Sequence, residues 1–348
     1  MQINLIDDFH EFDKLKTTWE AVYSADPQAN IFVSWAWLRG FFEMTHYYWF
    51  ILALRPNSES PYVAFFPLTL ENYRFKLLRV LRLGGTPVAD YTGFVCLPEY
   101  EEQALAAFSV YVQQWSAWDR FHLRDVLDQR LETFLESLCR KKFSVQQAEC
   151  TCCPYIPLPD TWDQYLQDFF SKNARSKLKR RIKHLESLDG FRVTDIQADN
   201  LDSQIETLLT LWQMRWGLNC GGYQTIFRRC FENDSLWLRV LWQETTPMAA
   251  LAAVVDWSQK TFSACMTGFD DKFAKFAPGR VIFAHSIKYA IKNGFQIYDL
   301  LRGDHTYKFS FGATERFNSS TLIARKGLRS GVANTAANLV KRLQTAEE

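Results

Sequence analysis

The strongest constraint in this sequence is a hairpin pattern that occurs twice, once on each side of a proline cluster. In the first half, Trp49 to Leu54 is continuously apolar, Arg55 to Ser60 is rich in turn formers, and Tyr62 to Leu70 is apolar again. In the second half, Trp237 to Trp242, the polar stretch Gln243 to Thr246, and Pro247 to Trp257 repeat that order. A Trp-led strand, a polar turn, a proline and a longer apolar strand predict a β-hairpin in each half. Any two hairpins share this much, so the pattern supports an internal repeat without proving one. Between the copies stand Pro154, Pro157 and Pro159. Proline fixes φ and drives its predecessor toward extended backbone, which suits a crossing between domains. The expected division is therefore residues 1–155 and 156–348.

Other elements alternate around the hairpins. Helices are predicted over Ser34 to Met44, Glu101 to Trp115, Trp162 to Leu188, Leu201 to Trp216 and Arg280 to Asn293. Strands are predicted over Gln2 to Ile6, Phe121 to Arg124, Thr261 to Phe269 and Gln296 to Leu301. The 348 residues suit about two domains. With 47% hydrophobic and 16% aromatic residues, each can bury a core.

Charge and cysteine content exclude several functions. Forty basic and thirty-nine acidic residues give a net charge of +1, which provides no overall field for a nucleic acid or an anionic membrane. The longest stretch without charged residues, Gln103 to Trp118, is broken by Gln and Ser and reads as a soluble helix. Asp7, Asp8 and Glu11 follow too soon after Met1 for a signal peptide, so the expected location is cytoplasmic. The Cys150-Thr151-Cys152-Cys153 cluster has no second pair at zinc-ribbon spacing, and His is scarce. No metal site is expected, and the thiols read as reduced and structural.

The segment from Thr261 to Phe311 is the richest in chemistry. A strand leads into Phe276-Ala277-Pro278-Gly279-Arg280-Val281, where a helix begins. Its free amides and positive dipole end suit an anion, Gly279 permits close approach, and Arg280 adds charge. The same residues also make an ordinary strand–helix turn. The strand Gln296 to Leu301 then opens into Arg302-Gly303-Asp304-His305-Thr306-Tyr307-Lys308. Ionisable groups at a strand end suggest a site, although Asp304 with Lys308 or Arg302 would also make a salt-bridged turn. An imidazole titrates near neutrality, which makes His305 an acid–base candidate. Upstream, Lys172, Arg175, Lys179 and Lys183 share one helical stripe, either an anion site or a solvated face. Trp212 and Trp216, with Arg215 beside them, form either an acceptor platform or a core pair.

These motifs, in this order, resemble the CelD/BcsL-like acetyltransferases of the GNAT superfamily, which are built like the tandem-GNAT FemAB transferases. The resemblance rests on Tyr298-Asp299-Leu300-Leu301-Arg302-Gly303-Asp304 with Tyr307-Lys308 after the Gly294-ended helix. It extends to the basic helix from Lys172 to Arg181, to Ser34-Trp35-Ala36-Trp37-Leu38, and to the loop from Gly84-Gly85 to Asp90-Tyr91. It implies an α/β fold (α+β, mixed sheet) of two tandem GNAT-like acyltransferase domains. It also implies acetyl-CoA or another acyl-CoA as co-substrate, held at Ala277, Pro278, Gly279, Arg280 and Val281. Of the superfamily's phosphate-loop pattern, only the central Gly279 is clear. The implied catalytic set is Asp299 or Asp304 as base, Tyr307 as proton donor to the leaving thiolate, and Lys308 as a substrate or carboxylate contact. Arg175, Lys179, Asp90, Tyr91, Trp216 and His305 are the substrate candidates. The implied acceptor is a small molecule or glycan, an amino-sugar in exopolysaccharide or envelope synthesis. Two alternatives remain: a FemAB-like transferase using aminoacyl-tRNA, and a non-catalytic GNAT-fold partner of a polysaccharide synthesis complex.

Overall fold

The computed structural model describes residues 1–73, 78–139, 141–147, 150–217 and 222–326. The chain divides into two units. The first comprises Met1–Leu38, Thr45–Thr151 and Phe317–Glu348, and the second Arg39–Met44 and Cys152–Arg316. This differs from the single cut near residue 155. The prolines mark where the chain leaves the first unit, but nothing local marks its return as the strand Phe317–Arg325.

In the first unit the sheet runs in the order Gln2–Ile6, Tyr48–Arg55, Ala64–Tyr73, Leu78–Leu83, Arg120–Val126, Phe317–Arg325, Phe143–Gln147. Among the described strands Leu78–Leu83 and Arg120–Val126 pair in parallel, and the helix Glu101–Gln114 lies between them in sequence. The core is aromatic: Phe66 touches Phe94, Phe108, Phe121 and Phe134 with ring centroids 5.1–6.5 Å apart. A buried ion cluster interrupts it. Arg130 grips both Asp26 oxygens at 3.1 Å and reaches Asp128 at 2.7 Å. Removing one partner would strand a buried charge, at a cost of about 3–5 kcal/mol.

In the second unit the order is Phe191–Asp195, Leu236–Gln243, Thr246–Asp256, Thr261–Phe269, Ile297–Asp299, Tyr155–Pro157. Again one pair is parallel, Thr261–Phe269 with Ile297–Asp299, and again a helix, Pro278–Lys292, lies between them in sequence. The hairpins Tyr48–Arg55/Ala64–Tyr73 and Leu236–Gln243/Thr246–Asp256 hold the second and third places in their sheets. The repeat is therefore topological as well as compositional. The sixth place is filled from outside each repeat, by Phe317–Arg325 in the first sheet and by Tyr155–Pro157 in the second.

Two features of the second unit create space for a site. The parallel strands pair only at Thr261, Phe262 and Ser263, opposite Ile297, Tyr298 and Asp299. Beyond those rungs they part, leaving the far half of Thr261–Phe269 open on that side. A register shift between Ala252 and Ala253 leaves Cys265 as the bulged residue opposite them, which bends the strand. The long helix expected over Trp162 to Leu188 is two helices, Trp162–Phe169 and Lys172–Glu186. Ser171 breaks it by capping the second, its hydroxyl accepting from the Ala174 amide at 3.3 Å.

Candidate active site

Where the parallel strands part, a cavity of about 600 Å³ opens in the second unit. Thr267 and Phe269 line it from the strand, Ala277 to Arg280 from the helix start, and His305 to Tyr307 from the loop after Asp299. Arg215 and Trp216 close it from the end of the helix Leu201–Trp216. That helix reaches the strand because position 268 is glycine. A Cβ there would lie 2.5 Å from the Leu211 carbonyl carbon.

One end of the cavity suits an anion. Ala277, at φ +54°, is the helix N-cap and supplies no side-chain cap. Its carbonyl takes the Arg280 and Val281 amides at 3.0 and 3.3 Å. Pro278 has no N–H, so Gly279 supplies the amide left for a ligand. A Cβ on Gly279 would stand 3.1 Å from Phe269 Cδ1, so glycine keeps this entrance clear. Arg280 donates to Ser310 Oγ at 3.0 Å and lies over the Phe311 ring at 5.6 Å. Burial lowers its pKa, and the Arg181 guanidinium lowers it further. Both arginines line the cavity. No Asp or Glu is among the described residues that line the cavity.

The other end carries aromatic and proton-transfer groups. The His305 imidazole lies 5.7 Å from the Trp216 ring and 6.0 Å from Tyr307, nearly parallel to the latter at 17°. Tyr307 packs on Phe283 at 5.6 Å, and burial pushes its phenol up to about 12. Arg215 lies over Phe269 at 4.8 Å and reaches Asp271 at 3.6 Å.

Several sequence expectations move. Asp299 is 3% exposed and does not line the cavity. Its Oδ1 accepts the Leu301 amide at 2.8 Å and its Oδ2 accepts Arg316 Nη2 at 2.6 Å. A carboxylate so engaged orients the chain at this turn. Asp304 is exposed and lies outside the lining. Lys308 is buried, and its ammonium donates to the Leu301 and Arg302 carbonyls at 2.9 and 2.6 Å, so it holds backbone. Val281 faces the core at 0% exposure. On the helix Lys172–Glu186, Arg175 and Lys179 stay outside the lining; Lys179 meets Asp163 at 3.6 Å in solvent. The cavity takes Arg181 instead, which borders the packed stripe of Leu178, Ile182 and Leu185. That border position was the available signal. Asp90 and Tyr91 belong to the first unit, where Tyr91 is buried edge-on to Phe32 at 5.6 Å. The structure does unite Ala277 to Arg280, Trp216, His305 and Tyr307.

Among the described residues no group of His, Cys, Asp and Glu is placed to hold a metal ion, and no helix is long and apolar enough to cross a membrane.

Comparison with known proteins agrees with this architecture. Residues 172–309 match the acetyltransferase (GNAT) domain family. No curated protein matches the sequence. Solved structures match over nearly the whole chain. FemX is 12% identical, with a TM-score of 0.65 over 91% of this chain and 96% of its own. L-PGS from Bacillus licheniformis is 10% identical, with a TM-score of 0.56 over 99% of each chain. A tandem GNAT protein from the clavulanic acid biosynthesis pathway is 10% identical, with a TM-score of 0.52 over 94% of this chain and 99% of its own. At such identities the likeness is one of fold.

Proposed function

We propose that this chain, a tandem GNAT-fold acyltransferase with a GNAT acetyltransferase domain over residues 172–309, moves an acyl group from acyl-CoA to an amine. The acyl group is acetyl and the acceptor is an amino-sugar or related glycan unit, as in the CelD/BcsL-like enzymes of exopolysaccharide and envelope synthesis. The reaction belongs in the cytoplasm, where thiols stay reduced; none of the seven described cysteines is in a disulfide.

One observation carries this reading. A single cavity joins an uncapped helix start and two guanidiniums, at one end, to Trp216, His305 and Tyr307 at the other. The residues fit acyl-CoA: the Gly279 amide and the Arg280 and Arg181 side chains suit its phosphates, and the parted strand Thr261–Phe269 offers an edge for its arm. Acyl-CoA supplies an activated thioester carbonyl. The chain supplies the rest by positioning and proton transfer. Trp216 and Arg215 orient the acceptor. His305 takes the amine proton. Tyr307, fully protonated at neutral pH, returns a proton to the departing thiolate.

The test is thermal shift with acetyl-CoA and longer acyl-CoAs, followed by acyl transfer to glucosamine. At a hundredfold excess over Kd, a ligand of the native state adds about 2.7 kcal/mol to stability. No shift with any acyl-CoA overturns the reading. The exposed cations Lys172, Lys177, Lys179, Arg180 and Lys183 support a second reading, a FemAB-like transfer from aminoacyl-tRNA. A shift with aminoacyl-tRNA but not with acyl-CoA would select it.

A further inference from the structure

The second unit has another cavity, of about 510 Å³, at the opposite end of its sheet. The first cavity lies beside Gly279, whereas Tyr289 of the same helix borders the second. Ten residues of helix separate them by about 15 Å.

This pocket forms where an edge strand stops. Phe191–Asp195 pairs with Leu236–Gln243 only as far as Asp195 opposite Arg239, and Ile196 then donates to the Leu238 carbonyl at 3.0 Å. Trp237 borders the same pocket at 6% exposure, and its indole Nε1–H is a buried donor without a partner. Such a donor costs about 1–3 kcal/mol unless a ligand oxygen meets it.

Opposite stands Trp257, 42% exposed yet fixed. Its Nε1 donates to the Asp234 carbonyl at 2.8 Å, and its ring leans on Phe295 at 4.7 Å. An exposed indole held in place is a platform for an apolar ligand face. The Asp234 and Asp195 carboxylates offer acceptors at the pocket wall. Asp195 is already paired with Arg239 through two bonds of 2.6 and 2.8 Å, and Arg239 lies over the Trp237 ring at 5.3 Å. The Asp195 carboxylate is thereby already matched by a cation. The unpartnered indole N–H calls for an acceptor oxygen, which an ammonium group lacks.

We infer that this pocket binds a neutral pyranose saccharide, its ring face on Trp257, a ring or hydroxyl oxygen on Trp237 Nε1–H, and hydroxyl donors on Asp234. The inference stands apart from the acyl-transfer reading, because no residue is shared between the cavities. The test is titration of the full chain with glucose, N-acetylglucosamine and cellobiose, followed by tryptophan fluorescence and saturation-transfer NMR, with choline as the cationic control. At least one sugar binds at millimolar concentration or better. Trp257→Ala weakens it at least about tenfold, and Trp237→Phe, which keeps a ring but removes the donor, does likewise. Tyr307→Phe leaves the affinity unchanged. Far-UV circular dichroism and melting temperature confirm that the variants fold. Binding of choline in preference to the sugars, no binding of any sugar, or sugar binding unaffected by Trp257→Ala overturns the inference.

Discussion

The Lys308 ammonium, 3% exposed, donates to the Leu301 carbonyl at 2.9 Å. Leu301 sits at φ +60°, a left-handed conformation that a β-carbon disfavours. The lysine therefore holds a strained turn in which the chain leaves the sheet, and that turn delivers His305 and Tyr307 to the cavity. Lys308→Met removes a cation that also satisfies the Arg302 carbonyl, leaving both carbonyls without their donor. We expect a loss of about 2–3 kcal/mol. Turnover should fall with it, and Lys308→Arg should not restore it, because a guanidinium is wider than the site. Calorimetry and kinetics on the same samples check this. A raised KM with an unmoved Tm would instead mean that Lys308 touches substrate.

Asp299 acts on the same turn from the other side, through the Leu301 amide and Arg316. Asp299→Asn keeps the shape but loses the charge opposite Arg316. The expected cost is about 1–3 kcal/mol, with a modest loss of rate. A general base would cost about 10²–10⁴ in kcat at unchanged stability. Measuring kcat against pH for Asp299→Asn separates the two.

The sequence reveals this turn as a motif but not its working. Asp299, Gly303, Tyr307 and Lys308 stand out because they fall on the pattern of the resembling family at a strand end, and of these four Tyr307 lines the cavity. Composition cannot show that Asp299 and Lys308 turn toward backbone while Tyr307 turns toward space. That choice depends on Arg316 and on the Leu301 carbonyl, which are brought in by the fold. The hairpins were legible because apolar runs around a polar turn are local. The strand Phe317–Arg325 was not, because its pairing with Arg120–Val126 spans nearly two hundred residues. Arg181 shows the same limit on a smaller scale. A basic helix advertises its widest stripe, yet the cation that matters borders the apolar face.

Gly279→Ala tests the anion end. Alanine favours helix, so stability should hold or rise by up to about 1 kcal/mol. The new methyl would sit 3.1 Å from Phe269 Cδ1 and beside the one free amide. The expected result is a KM for acyl-CoA raised about tenfold, with kcat at saturation little changed. Equal KM values for the variant and the parent would remove the helix start from the binding site.

Tyr307→Phe tests the proton donor. Burial holds the phenol protonated to about pH 12, so it donates throughout the range in which the protein is assayed. Removing the hydroxyl should lower kcat by about 10²–10⁴, with the fold intact. The loss should shrink for thioesters whose thiols are more acidic, since a better leaving group needs less help. A loss independent of thiol acidity would assign Tyr307 to packing alone.

His122, in the first unit, predicts an acid-sensitive fold. Burial holds its imidazole down to about 4, and Arg82, Arg120 and Arg124 add to the effect. Its Nε2 is buried without a partner, which suits the neutral ring. In the unfolded chain an imidazole takes its proton near pH 6.5. As pH falls below that value the unfolded state binds a proton that the folded state refuses. The stability present above pH 6.5 is therefore lost progressively down to about pH 4, where the folded ring also charges. The interval corresponds to about 3 kcal/mol at most, and partial exposure of the ring reduces it to about 1–2. Urea unfolding at pH 7 and pH 5 should show a little over half of that loss, about 0.5–1 kcal/mol, in the parent chain. In His122→Gln, which cannot titrate, the difference between the two pH values should shrink by the same amount. An unchanged difference would place the acid sensitivity elsewhere.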